Sequence, residues 1–242
     1  MIFYPIIIMN TKMYTYISSD ETKKNLLYFL NYDIAVIIHS YCHFIPKNKE
    51  ELVIAVNEWN RNNPIALSKY GHISTWDTSL INDMSKLFHS IQDPNDPLYS
   101  KFFNDDISSW NVKNVKNMSY MFCGNKLFNQ PIQKWNVKNV VHMEGMFCGA
   151  KSFNQPIGIW KTINVQSMCY MMSGADSFNQ PISEWNTSSV INLKGMFFEA
   201  YSFNQSIDKW DISKVQNINY IFNGAIAFTF FDILDKWNVL HT

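Results

Sequence analysis

The sequence predicts an α/β solenoid of 25-residue coils, each carrying one short strand and one short helix, with the strands parallel and a helical segment capping the N-terminal end. Two observations lead there. Trp110, Trp135, Trp160, Trp185 and Trp210 recur at an unbroken 25-residue spacing, the mark of a repeat architecture whose units bury their apolar faces only by stacking. Around them the same apolar types return in the same phase, Phe-Asn-x-x-Ile before each tryptophan and a Val/Ile, Met, Met-Phe run after it.

The elements follow in order. Leu26, Leu27 and Leu30 suggest a turn or short helix, and Ile34, Ile37, Ile38 and Tyr41 have helical spacing that Pro46 stops. A further helix opens at Asn48, with Glu51 three positions on as in a capping box, and its buried stripe is Leu52, Ala55, Val56 and Trp59. Residues 1–47 thus read as an N-terminal helical segment, 48–69 as a capping helix and entry loop, and 70–242 as the array. Terminal units of an array need a cap over their open apolar face, and these helices supply it. Ile73, Trp76, Ile81, Met84, Leu87 and Phe88 form a first coil, and Ile91–Lys101, with its run Asp93-Pro94-Asn95-Asp96-Pro97, reads as an exposed loop.

Within one coil, Phe128, Ile132 and Trp135 stand four and three apart around Pro131, which gives an extended arc or short strand. Val140, Met143, Met146 and Phe147 then fall on one face of a two-turn helix that closes at Gly149. Leu234 and Trp237 recover the phase after a two-residue slip and read as a truncated last coil.

The strings FNQPIQKWNVKNVVHMEGMFCGAKSFNQPI and YGHISTWDTSLINDMSKLF resemble the BspA-type leucine-rich-repeat surface proteins, also known as a Mycoplasma-type domain of unknown function, over about residues 52–240. The resemblance implies a leucine-rich-repeat-like fold, no enzymatic activity, and for many members a place at the cell surface.

Lysine plus arginine (20) balances aspartate plus glutamate (20), so no net field draws the chain to nucleic acid or an anionic bilayer. Met1–Met9 lacks a basic start and a small-residue cleavage site, which favours an intracellular protein. Leu26–Ile45 holds Asn31, Asp33, His39 and His43, too polar for a transmembrane helix. The cysteines form no CxxC or tight metal spacing, and no catalytic constellation, phosphate loop or zinc motif is present, so neither cofactor nor metal is expected. Cys123 and Cys148 share one phase in adjacent coils, but the expected helical side would hold them beyond the reach of a disulfide.

The columns divide into scaffold and lead. Asn104, Asn129, Asn154, Asn179 and Asn204, each followed in most coils by Gln, read as an amide column closing turns. The tryptophan column reads as core, with an aromatic carbohydrate platform as its rival, so carbohydrate stays open as a ligand class. The variable positions between the repeat Ile and Trp are the candidate partner contacts: Gln133 and Lys134, Glu184, Asp208 and Lys209. Val141 and Ile191 form a second, apolar set. The function expected is a non-enzymatic scaffold that binds an as yet unidentified protein. Its rivals are a BspA-type surface adhesin and a ubiquitin-ligase substrate adaptor acting through an F-box-like segment at residues 20–45.

Overall fold

The computed structural model describes residues 44–61, 63–89, 103–230 and 232–237. The predicted helices at 26–41, the loop at 91–101, and the recruitment segment at 20–45 except Phe44 and Ile45 lie outside them.

Helix α1, Lys49–Arg61, begins after Asn48 and buries Leu52, Ala55, Val56 and Trp59. Asn48 Oδ1 accepts the Glu51 N–H at 2.9 Å, and the Glu51 carboxylate in turn accepts from the Lys47 N–H, so the first turn's orphan donors are met from both sides. The expected entry loop is instead a second helix, α2, Asn63–Tyr70. Both pack on the first coil. Trp59 and Tyr70 meet Trp76 edge-on, Phe44 joins them, and Lys49 Nζ reaches Asp83 and Ser85 at 2.9 and 2.6 Å.

Beyond them the α/β solenoid does not hold. Among the described residues no strand forms, and the array carries only two three-residue 3-10 turns, Ile73–Thr75 and Ile157–Ile159, before α3, Asp232–Lys236. The coils are built from turns. With neither strand nor helix in each coil, the leucine-rich-repeat and solenoid readings fall as well. The predicted truncated last coil is the short α3, which buries Ile233 and Leu234.

The physical reason lies in the backbone. An α-helix over Val115–Phe122 would send each N–H four residues back, whereas Met121 and Cys123 donate three residues back, to Met118 and Tyr120. The alternate amides leave the coil: Met118, Tyr120, Phe122 and Gly124 donate to His142, Glu144, Met146 and Cys148 of the next one. Tyr120 and Gly124 have φ of 59° and 74°, the left-handed conformation that type II turns place at their third residue and that ends a helix. Successive turns return side chains to one face every three or four residues, so they mimic a helical stripe.

The predicted strand fails for a different reason. Along Phe128–Trp135 the neighbouring coil's backbone is replaced as partner by side chains: Asn129, Asn154, Asn179 and Asn204 each donate their N–H to the Oδ1 of the asparagine 25 residues earlier, at 2.9–3.0 Å. What remains of sheet is a line of single parallel bridges joining Asp83, Asn117, His142, Ser167, Asn192 and Asn217.

The core is a set of aromatic columns running along the stack. Phe103, Phe128, Phe153, Phe178, Phe203 and Phe228 lie face to face with centroids 6.0–6.2 Å apart. A second column through Phe122, Phe147, Phe197 and Phe222 presses against the first at 3.8–3.9 Å within each coil. Such pairs contribute about 0.5–1.5 kcal/mol each beyond area burial. The five tryptophans from Trp110 to Trp210 are buried too, and each of their indole N–H groups donates to the repeat isoleucine carbonyl of the coil before, Trp110 to Ile73 and so on to Trp210 and Ile182, at 2.8–3.3 Å. A carbohydrate platform on this column is thereby ruled out, since the rings face the core.

Asn154→Ala removes the acceptor shared by the Asn179 N–H and the Gln180 amide, and urea denaturation should show a loss of about 1–3 kcal/mol. Asn154→Asp keeps an acceptor oxygen for both donors and should retain most of that stability. Asn125 stands fully buried where later coils carry Ala150, Ala175, Ala200 and Ala225, and neither side-chain polar atom has a partner. Asn125→Ala should therefore raise the denaturation midpoint, by about 1–3 kcal/mol in stability; a lowered midpoint would contradict this.

Candidate functional site

Around the repeat tryptophans the side chains alternate between core and solvent, most regularly in the coils of Trp135 and Trp160. Trp135 and Val137 are buried while Lys134, Asn136 and Lys138 are exposed; Trp160 and Thr162 are buried while Ile159, Lys161 and Ile163 are exposed. The buried member of each coil is fixed by its neighbours: Thr162 and Thr187 donate their hydroxyls to the Asn186 and Asp211 carbonyls of the next coil at 2.9 Å. The outward members then stack, coil on coil, into a face three side chains wide. Asx turns hold its middle column, with Asn111, Asn136, Asn186 and Asp211 each accepting the N–H two residues on.

The chemistry of this face is graded along the stack. Lys113, Lys134 and Lys138 are exposed on the earlier coils. The central coil presents Ile159 and Ile163, 66% and 44% exposed, with Lys161 between them. Glu184 and Lys209 follow and are ion-paired across adjacent coils, which raises the Lys209 ammonium pKa above its ordinary value. The hydrogen bonds from the Ser206 hydroxyl to Asp208 and from the Ser213 N–H to Asp211 hold both carboxyls below the usual range, so they stay charged at neutral pH.

Of the sequence-predicted contacts, Lys134, Glu184 and Lys209 form one column of this face. Gln133 is half-buried with its Oε1 enclosed, and Asp208 is exposed at the preceding turn position, its carbonyl bonded to Lys236. Val141 and Ile191 lie past the next corner, where their N–H groups bond to Lys116 and Gln166 of the coils before. The two predicted sets therefore do not form one surface. Lys113, Lys138, Lys161 and Ile163 escaped the sequence reading, although the alternation Trp-x-Val/Thr-x that carries them is written after most of the repeat tryptophans.

The family model described as "Mycoplasma protein of unknown function, DUF285" matches residues 64–175 and again 155–242, together most of the chain. The chain belongs to this family. The two overlapping DUF285 matches cover the stack from α2 to the last residues. No curated protein and no solved structure matches the DUF285 chain. Among its described residues no helix is long and apolar enough to cross a membrane, and no group of three or more His, Cys, Asp or Glu could hold a metal ion.

The face is outside the scaffold, so Ile159→Ser with Ile163→Ser should move stability by no more than about 0.5 kcal/mol. Trp160→Ala, between them, should cost about 3–5 kcal/mol. Thermal denaturation of the two variants checks the contrast.

Proposed function

We propose that this chain is a non-enzymatic protein-binding repeat protein whose partner docks on the face that runs through Lys134, Ile159, Ile163 and Glu184. The observation supporting this is the contrast between uniform inward columns and varied outward ones: the stack needs the same residue in every coil, and the face departs from that rule. Two exposed isoleucines on one coil, with cations before them and an ion pair after, offer an apolar centre with a charged rim, the division found in protein interfaces. A partner with an apolar patch flanked by acidic side chains fits that arrangement. The proposal includes an intracellular setting; a product whose first residues are removed on export would overturn that part and favour the surface adhesin.

The test is quantitative affinity capture with the full chain against Ile159→Asp/Ile163→Asp, Lys113→Glu/Lys134→Glu/Lys138→Glu, and Ile191→Asp as a control past the next corner. Proteins held by the wild type and the control but lost from both face variants are expected, with binding that weakens as salt rises. Equal capture by all four chains would remove this face from consideration.

A further inference from the structure

The turn-built coil changes the standing of Cys123 and Cys148. A helical side would have kept neighbouring coils too far apart to bridge, yet here the two segments run in register at hydrogen-bond spacing. Phe122 N–H donates to the Met146 carbonyl at 2.9 Å and Gly124 N–H to the Cys148 carbonyl at 2.6 Å, so the bonds flank the cysteine position. Chains so paired lie about 4.8 Å apart, inside the Cα separation of about 4.4–6.8 Å that a disulfide spans. The rings of Phe122 and Phe147, one residue before, stack at 5.6 Å. Both cysteines end equivalent turns, their amides donating to Tyr120 and Gly145 three residues back, so their side chains leave the backbone alike.

The column continues through Ser173. Cys148 therefore has a hydrogen-bonding neighbour on either side, the Cys123 thiol from the coil before and the Ser173 hydroxyl from the coil after, and these draw its pKa down to about 7. Cys123 lacks the second donor, and the thiol shared with Cys148 together with burial pushes it up. Both are half-buried, hence reachable by a small oxidant.

We propose that Cys148 is a peroxide-reactive thiol and that Cys123 resolves it to a cross-coil disulfide. The Cys148 thiolate attacks a hydroperoxide oxygen: an S–O bond forms, the O–O bond breaks, and the departing oxygen takes up a proton and leaves as water or an alcohol. Sulfur is oxidised to the sulfenic acid as the peroxide is reduced. Cys123 then attacks the Cys148 sulfur, the S–S bond forms, and the S–O bond breaks; hydroxide leaves with the Cys123 proton as a second water. Parallel side chains on coils of this spacing have Cβ atoms farther apart than the mean disulfide value of about 3.8 Å, so the bond must draw the coils together and is readily reduced by a dithiol.

Serine already occupies this column at Ser173, so Cys123→Ser and Cys148→Ser suit the repeat, and circular dichroism verifies that they fold. The full chain is treated with hydrogen peroxide, and its peptides are mapped by mass spectrometry after alkylation. The expected result is a linked Cys123–Cys148 peptide pair that dithiothreitol separates. In Cys123→Ser a sulfenic acid should be trapped by dimedone at residue 148, and in Cys148→Ser the linked pair should vanish and Cys123 should stay reduced. Alkylation of Cys148 in the untreated chain should rise through about pH 7, below the ordinary thiol value of about 8.5. Failure of the pair to form in the folded wild type overturns the proposal, as does faster oxidation at Cys42 or Cys169.

Discussion

Each coil must hand its forward-pointing amides to the same carbonyls of the next coil, and the rest of the molecule answers to that constraint. From Met118, Tyr120, Phe122 and Gly124 onward, the donors of one coil meet acceptors 24 residues ahead, and the pattern repeats at Met143, Met168 and Leu193. A one-residue insertion would shift these pairs, the asparagine ladder and the indole-to-isoleucine bonds together. The period is unbroken because three independent hydrogen-bond columns share it, and an unpaired buried amide costs about 1–3 kcal/mol.

The constraint also separates what was legible in the residues from what was not. The period, the buried columns and the start and buried stripe of α1 could be read because burial by stacking leaves one apolar type per phase. The helix in each coil was misread because turns and helices both bring side chains to one face at intervals of three and four. The sign that separates them is backbone handedness at one phase, Tyr120, Gly145, Tyr170, Gly195 and Tyr220, all with φ between 53° and 60°. Glycine at two of those five positions was the available hint, and tyrosine at the other three concealed it.

That alternation has its own cause. A Cβ on Gly145 would lie 2.5 Å from the Tyr120 ring, and one on Gly195 only 2.2 Å from that of Tyr170. The Tyr120 and Tyr170 rings cover the bare backbone of Gly145 and Gly195 in the following coil, whereas Lys86 before Tyr120 leaves room for a second side chain. From Tyr120 to Tyr220 the repeat at this corner is therefore two coils. It was hidden by the stronger single-coil period of the core. The outward face was half legible for a similar reason: variation marked Lys134, Glu184 and Lys209, but the period-2 alternation that brings in Lys161 and Ile163 runs for only five residues in each coil before a turn ends it.

The two ends of the stack are closed by different elements. Helix α1 brings its own N-terminal turn and Lys49 to Asp83 and Ser85 of the first coil. Burial raises the Asp83 carboxyl, but its bonds with Lys49 and Ser85 outweigh this and hold it below the ordinary range. At the other end no further coil among the described residues accepts from Ile218, Tyr220 and Phe222, and α3 carries Asp232 and Asp235 there while burying Ile233 and Leu234. At each described end of the stack, then, a helix buries apolar side chains against it.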